Sequence, residues 1–62
     1  MYNWIARDMS GELYAFTVKP KKIDGVWTSK YNTFVEIPEY DERFKDVKFE
    51  DDEPLNISDL RL

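Results

Sequence analysis

The residues best suited to chemistry in this chain fall in two short charged runs. Glu50-Asp51-Asp52-Glu53 places four carboxylates in succession, and Lys19-Pro20-Lys21-Lys22 places three ammonium groups within four positions. The chain has no His and no Cys, which removes imidazole acid–base catalysis, a thiolate nucleophile, the soft-ligand zinc sites and any disulfide. Four consecutive acids offer hard oxygen ligands, but they lack the alternating, glycine-bearing spacing of a calcium loop. With only two glycines, each in a turn context, there is no glycine-rich loop to cradle a phosphate. No pair of carboxylates is spaced to hold a substrate between an acid and a base. A core of this size leaves little room for a cofactor pocket. The expectation is a non-enzyme with no catalytic residues, no metal and no cofactor.

Binding is the chemistry these runs can still perform. Residues 1–30 carry five basic and three acidic residues, a net of +2, whereas residues 31–62 carry ten acidic and four basic, a net of −6. Such a polarised chain can steer a partner of opposite charge over a distance and fix its orientation on contact. Glu50, Asp51, Asp52 and Glu53 are therefore the candidate protein-binding residues, matched to a basic surface on another protein. Read the other way, Lys19, Lys21 and Lys22 with the neighbouring Trp27 form an alternative nucleic-acid site, lysines on phosphate and the indole stacked on a base. The plainer meaning of both runs is a solvated surface that keeps a small protein soluble.

These side chains must be positioned by β structure. Asp8-Met9-Ser10-Gly11-Glu12 has an Asp opening a turn and a Gly three positions on, the pattern of a type I turn closed by a left-handed residue. A three-residue loop then pairs Ala6 with Tyr14, Trp4 with Phe16 and Tyr2 with Val18, and period-2 alternation puts all six on one face. Slipping the register by one residue scatters the aromatics. The opposite face carries Asn3, Ile5 and Arg7 against Leu13, Ala15 and Thr17, to be covered by later chain or left wet. Pro20 ends this hairpin, since it cannot donate to a ladder. Asp24-Gly25 predicts a second hairpin with a type I′ turn, pairing Ile23 with Val26 and Lys22 with Trp27.

Thr33–Ile37 is rich in β-branched and aromatic residues and reads as a strand with Thr33, Val35 and Ile37 on one face, stopped by Pro38. Residues 38–46 suit a turn or one-turn helix with Pro38 at its first position and Tyr40 and Phe44 on one side. Val47-Lys48-Phe49 alternates like a short strand before the acidic loop and Pro54. The tail carries Leu55, Ile57, Leu60 and Leu62 at spacings that fit neither element cleanly, and its apolar residues are expected to close the open side of the core.

The fold class expected from these pieces is mainly β, or α+β: a small antiparallel sheet of two consecutive hairpins, one or two further strands and a short turn or one-turn helix. The 62 residues make one domain. Its aromatic hairpin face is expected to pack under the C-terminal segment. A chain this short buries only about 60% of its unfolded surface, so its ten aromatic residues must supply most of the core. Self-association would be one further source of support. No apolar run is long enough to span a bilayer, and Met1 leads into a strand instead of a charged and then apolar leader, so a cytoplasmic protein is expected.

The run Trp4-Ile5-Ala6-Arg7-Asp8, then Ser10-Gly11-Glu12-Leu13-Tyr14-Ala15-Phe16, then Lys19-Pro20 and Trp27 resembles short proteins encoded in bacteriophages and prophages. The resemblance covers the first half of the chain, with Phe49 to Pro54 matching loosely, and Ala15 departs from the bulkier residue of that pattern. It transfers no catalytic motif. It implies an accessory protein in the cytoplasm of a bacterial host that binds a host protein and does not catalyse a reaction. A small nucleic-acid-binding domain is the alternative, and a structural homodimer the second.

Overall fold

A computed structural model describes residues 2–30 and 34–57. The fold is mainly β and antiparallel, with one four-stranded sheet and one two-stranded sheet. Strands β1 (Trp4–Arg7) and β2 (Leu13–Phe16) form the central hairpin of the larger sheet. Strand β5 (Phe34–Ile37) pairs with β2 on one side and β6 (Leu55–Asn56) with β1 on the other. Strands β3 (Lys21–Ile23) and β4 (Val26–Thr28) make the separate hairpin. No described helix is long and apolar enough to cross a membrane.

Both turns form as their residues dictate. Asp8 Oδ1 accepts from the backbone N–H groups of Ser10 (3.0 Å) and Glu12 (3.2 Å) and from the Ser10 hydroxyl (2.7 Å). The Gly11 N–H donates to the Asp8 carbonyl at 3.0 Å, and Gly11 sits at φ +95°, a region a Cβ disfavours. The resulting register is Trp4 with Phe16 and Ala6 with Tyr14, as expected. In the second hairpin Asp24 (φ +51°) and Gly25 (φ +77°) are both left-handed, and Lys22 lies opposite Trp27 and Ile23 opposite Val26.

The sheet is buried on both faces, which corrects the expectation that the aromatic face packs under the C-terminal segment. On the aromatic face, Ala6 and Phe16 pack with Trp27 from β4, flanked by Trp4 and Tyr14. The small Ala6 leaves room for the indole. The C-terminal segment covers the opposite face, where Ile5, Leu13 and Ala15 pack with Phe44, Val47 and Ile57. Aliphatic side chains of modest size give a shallow surface on which an irregular segment can close. The ladder runs no further than Trp4 and Phe16, so Tyr2 leaves the aromatic face to pack at the rim of the aliphatic cluster, and Val18 is exposed.

Further differences arise in the second half. Residues Glu42–Phe44 form one 3-10 turn capped by Asp41, whose side chain accepts from the Arg43 N–H at 3.0 Å. The turn therefore starts after Tyr40, and the two rings expected to share a face part company: Phe44 is 2% exposed and Tyr40 is 82% exposed. Val47-Lys48-Phe49 is not a strand. Asp51 Oδ2 accepts from the Lys48 N–H at 3.0 Å and the Asp51 N–H donates to the Lys48 carbonyl at 3.1 Å, folding the chain into a turn. The tail supplies β6, which the residue spacing did not announce. Ile57 closes the core as expected and Leu55 stays exposed, while Thr33, Leu60 and Leu62 lie outside the described residues.

Candidate interaction surfaces

Arg7 shows how the acidic half is held on the sheet. It lies at the end of β1 on the aliphatic face, and its guanidinium donates to the carbonyls of Val47 (2.7 Å), Gly11 (2.6 Å), Glu39 (3.1 Å) and Phe44 (3.2 Å). One rigid fork thus ties three carbonyls of the covering segment to the Gly11 carbonyl of the hairpin loop. The covering layer, residues 39–57, carries eight acidic residues (Glu39, Asp41, Glu42, Asp46, Glu50, Asp51, Asp52, Glu53) against Arg43, Lys45 and Lys48. The hairpin on the other face belongs to a segment with Lys19, Lys21, Lys22 and Lys30 against Asp24. The sequence asymmetry becomes a charge difference between the two layers around the sheet.

At one rim the layers meet, and the two runs singled out in the sequence meet with them. Lys19 Nζ pairs with Glu53 Oε1 at 3.2 Å and lies 5.5 Å from the Trp4 ring centre. Lys22 Nζ donates to the carbonyls of Phe49 and Asp51, the latter at 3.0 Å, while sitting 5.1 Å from the Trp27 ring and 4.3 Å from the Phe49 ring. Trp27 is 7% exposed, and its Nε1–H donates to the Arg7 carbonyl at 3.0 Å. Its faces are committed to the core. Of the alternative nucleic-acid set, Lys21 is left outermost, in a shallow groove shared with Lys30 and floored by Val18 and Ile23.

The acidic loop is similarly divided. Asp51 holds its own turn and Glu53 holds Lys19, while Glu50 and Asp52 point outward. Glu36, Glu39, Glu42 and Asp46 are also exposed, and none of these six carboxylates makes a hydrogen bond or ion pair among the described residues. Asp41 is different. Arg43 donates to it through Nε (3.1 Å) and Nη2 (2.8 Å), which holds the Asp41 carboxyl below its usual range and the guanidinium above its own. No three described carboxylates are gathered closely enough to hold a metal ion.

Residue types alone did not single out the surface at β5. This strand ends the larger sheet among the described residues, with Phe34 44% and Val35 39% exposed and Glu36 turned to solvent. Phe34 stands edge-on to Tyr14, ring centres 5.6 Å apart at 85°, and borders a small cavity of about 150 Å³ with Tyr14, Phe16, Val26, Trp27 and Asp8. Tyr14 donates its hydroxyl to Glu12 Oε2 at 2.6 Å; that bond, with desolvation and nearby carboxylates, pushes its pKa up to about 12. Pro38 directly after Ile37 was the available sequence signal for an edge. Compared with protein-family models, curated proteins and solved structures, the chain matches none of them.

Proposed function

We propose that this chain is a non-enzymatic protein-binding module that docks on the basic surface of another protein through its acidic covering layer. The observation that supports the reading is the set of five exposed carboxylates of that layer, Glu39, Glu42, Asp46, Glu50 and Asp52, without partners among the described residues. Like charges left unpaired on one layer repel one another, and a cationic partner relieves that repulsion while gaining orientation and encounter rate. In keeping with the resemblance to phage-encoded accessory proteins, the partner would be a protein of a bacterial host cytoplasm.

The test is an interaction screen in bacterial lysate at low and high salt, with nuclease-treated controls. It compares wild type with a Glu50→Gln/Asp52→Asn variant, because those two carboxylates hold no internal contact. A single basic protein retained at low salt, released at high salt and lost with the variant at unchanged thermal stability supports the reading. Equal retention by the variant, or recovery of nuclease-sensitive material only, rejects it, and the latter hands the function to the groove at Lys21 and Lys30.

A further inference from the structure

From the outer edge of β5, which no described strand pairs with, we infer a second docking element: it accepts an extended segment of a partner protein as an added antiparallel strand, with apolar residues alternating around a Lys or Arg opposite Glu36. The inference rests on the protein-binding reading but not on docking by the acidic layer. An exposed strand edge presents unpaired backbone donors and acceptors, and strand addition is a common way to satisfy them. The other edge, β6, is two residues long, whereas β5 is four residues and largely exposed.

Face parity fixes what the added strand must carry. Phe34 and Glu36 lie on the aromatic face, in line with Phe16 and Tyr14; Val35 and Ile37 lie on the aliphatic face, in line with Ala15 and Leu13. The incoming residue opposite Phe34 meets a ring that is 44% exposed, so it is aromatic or a large aliphatic. The one opposite Glu36 meets a carboxylate with no cation among the described residues, so it is basic. Those opposite Val35 and Ile37 are apolar.

The same parity argues against a second copy of this chain as the occupant. Since both copies must keep their faces aligned, the strand can pair with itself about Val35 or about Glu36. The first register sets each Glu36 against a Phe34, with no cation; the second sets Glu36 directly against Glu36, which is repulsive.

The experiment is an amide NMR titration of the full-length labelled protein with a synthetic peptide whose core reads Val-Lys-Val-Phe. A peptide of the same composition in scrambled order serves as the control. The expected result is a Kd of about 1 mM or tighter, with shifts concentrated at Phe34–Ile37 and Tyr14. Glu36→Lys should weaken binding about two- to fivefold, and a peptide with Glu in place of Lys should bind that variant better than wild type. The Glu50→Gln/Asp52→Asn variant should bind the peptide as wild type does, which separates this inference from the acidic-layer reading. Absence of binding, equal binding of the scrambled peptide, shifts centred on the Lys21 groove, or self-association of the protein through β5 would each overturn it.

Discussion

Two side chains do more than their positions in the sequence suggest, and both can be tested singly. Arg7 replaces a missing ladder for the covering layer by donating to three of its carbonyls and to that of Gly11 in the hairpin loop. Removing it takes the guanidinium from the partly buried carbonyls of Val47 and Gly11, whereas the Phe44 carbonyl keeps the Val47 N–H and the Glu39 carbonyl is open to water. Arg7→Ala should therefore cost about 3 kcal/mol in denaturant unfolding followed by Trp fluorescence, from a total of roughly 3–9 kcal/mol for a chain this size. Arg7→Lys should recover only part, because a single ammonium cannot span the fork. An Arg7→Ala midpoint at the wild-type value would show the contacts to be energetically empty. Tyr14 is the second. Its pKa is raised from 10.0 to about 12, so the folded state holds that proton more tightly than the unfolded chain. The stabilisation is fully present below pH 10 and is lost as pH rises toward about 12. In a phenolate absorbance titration one tyrosine should ionise late, and Glu12→Gln should return it toward the usual range; unchanged titration in the variant would remove the hydrogen bond as the cause.

Elements written by local chemistry were legible, and those written by tertiary context were not. The Asp8–Gly11 and Asp24-Gly25 turns fix both hairpins and their registers because turn geometry depends on residues adjacent in sequence. Leu55–Asn56 is a strand only because β1 has an edge free to pair with, and nothing in two residues encodes that. Which face the C-terminal segment covers was equally hidden, since both faces of the hairpin are apolar enough to bury. For the candidate surfaces, composition marked the acidic and basic runs, but their partial neutralisation through Lys19–Glu53 and Lys22 is a contact between distant segments that spacing cannot show. The 3-10 turn gives a direct check of the corrected layer: Phe44→Ala should cost roughly 3–5 kcal/mol by cavity formation, while Tyr40→Ala, at a nearly bare site, should stay within about 0.5 kcal/mol. Equal effects in thermal melts would mean that the one-face expectation for residues 38–46 was right after all.

At the scale of the molecule, stability should be graded from the centre outward. Strands β1 and β2 are paired on both sides and covered on both faces, by Trp27 on one and by Phe44, Val47 and Ile57 on the other. The β3–β4 hairpin shares no ladder with that sheet. It is held by the Trp27 ring, its Nε1–H bond to Arg7 and the reach of Lys22 to the Phe49 and Asp51 carbonyls. Local opening that releases one hairpin therefore costs less than global unfolding, and native-state hydrogen exchange should show it. Amides in Lys21–Ile23 and Val26–Thr28 should exchange through a smaller opening free energy than those in Trp4–Arg7 and Leu13–Phe16. Lys22→Met keeps an apolar stem against Trp27 and Phe49 but deletes the ammonium that bridges hairpin and acidic loop. It should lower protection in β3 and β4 while leaving β1 and β2 near their wild-type values. Uniform loss of protection across both sheets would make the molecule a single cooperative unit, and the acidic and basic layers could then not move independently when a partner docks on either.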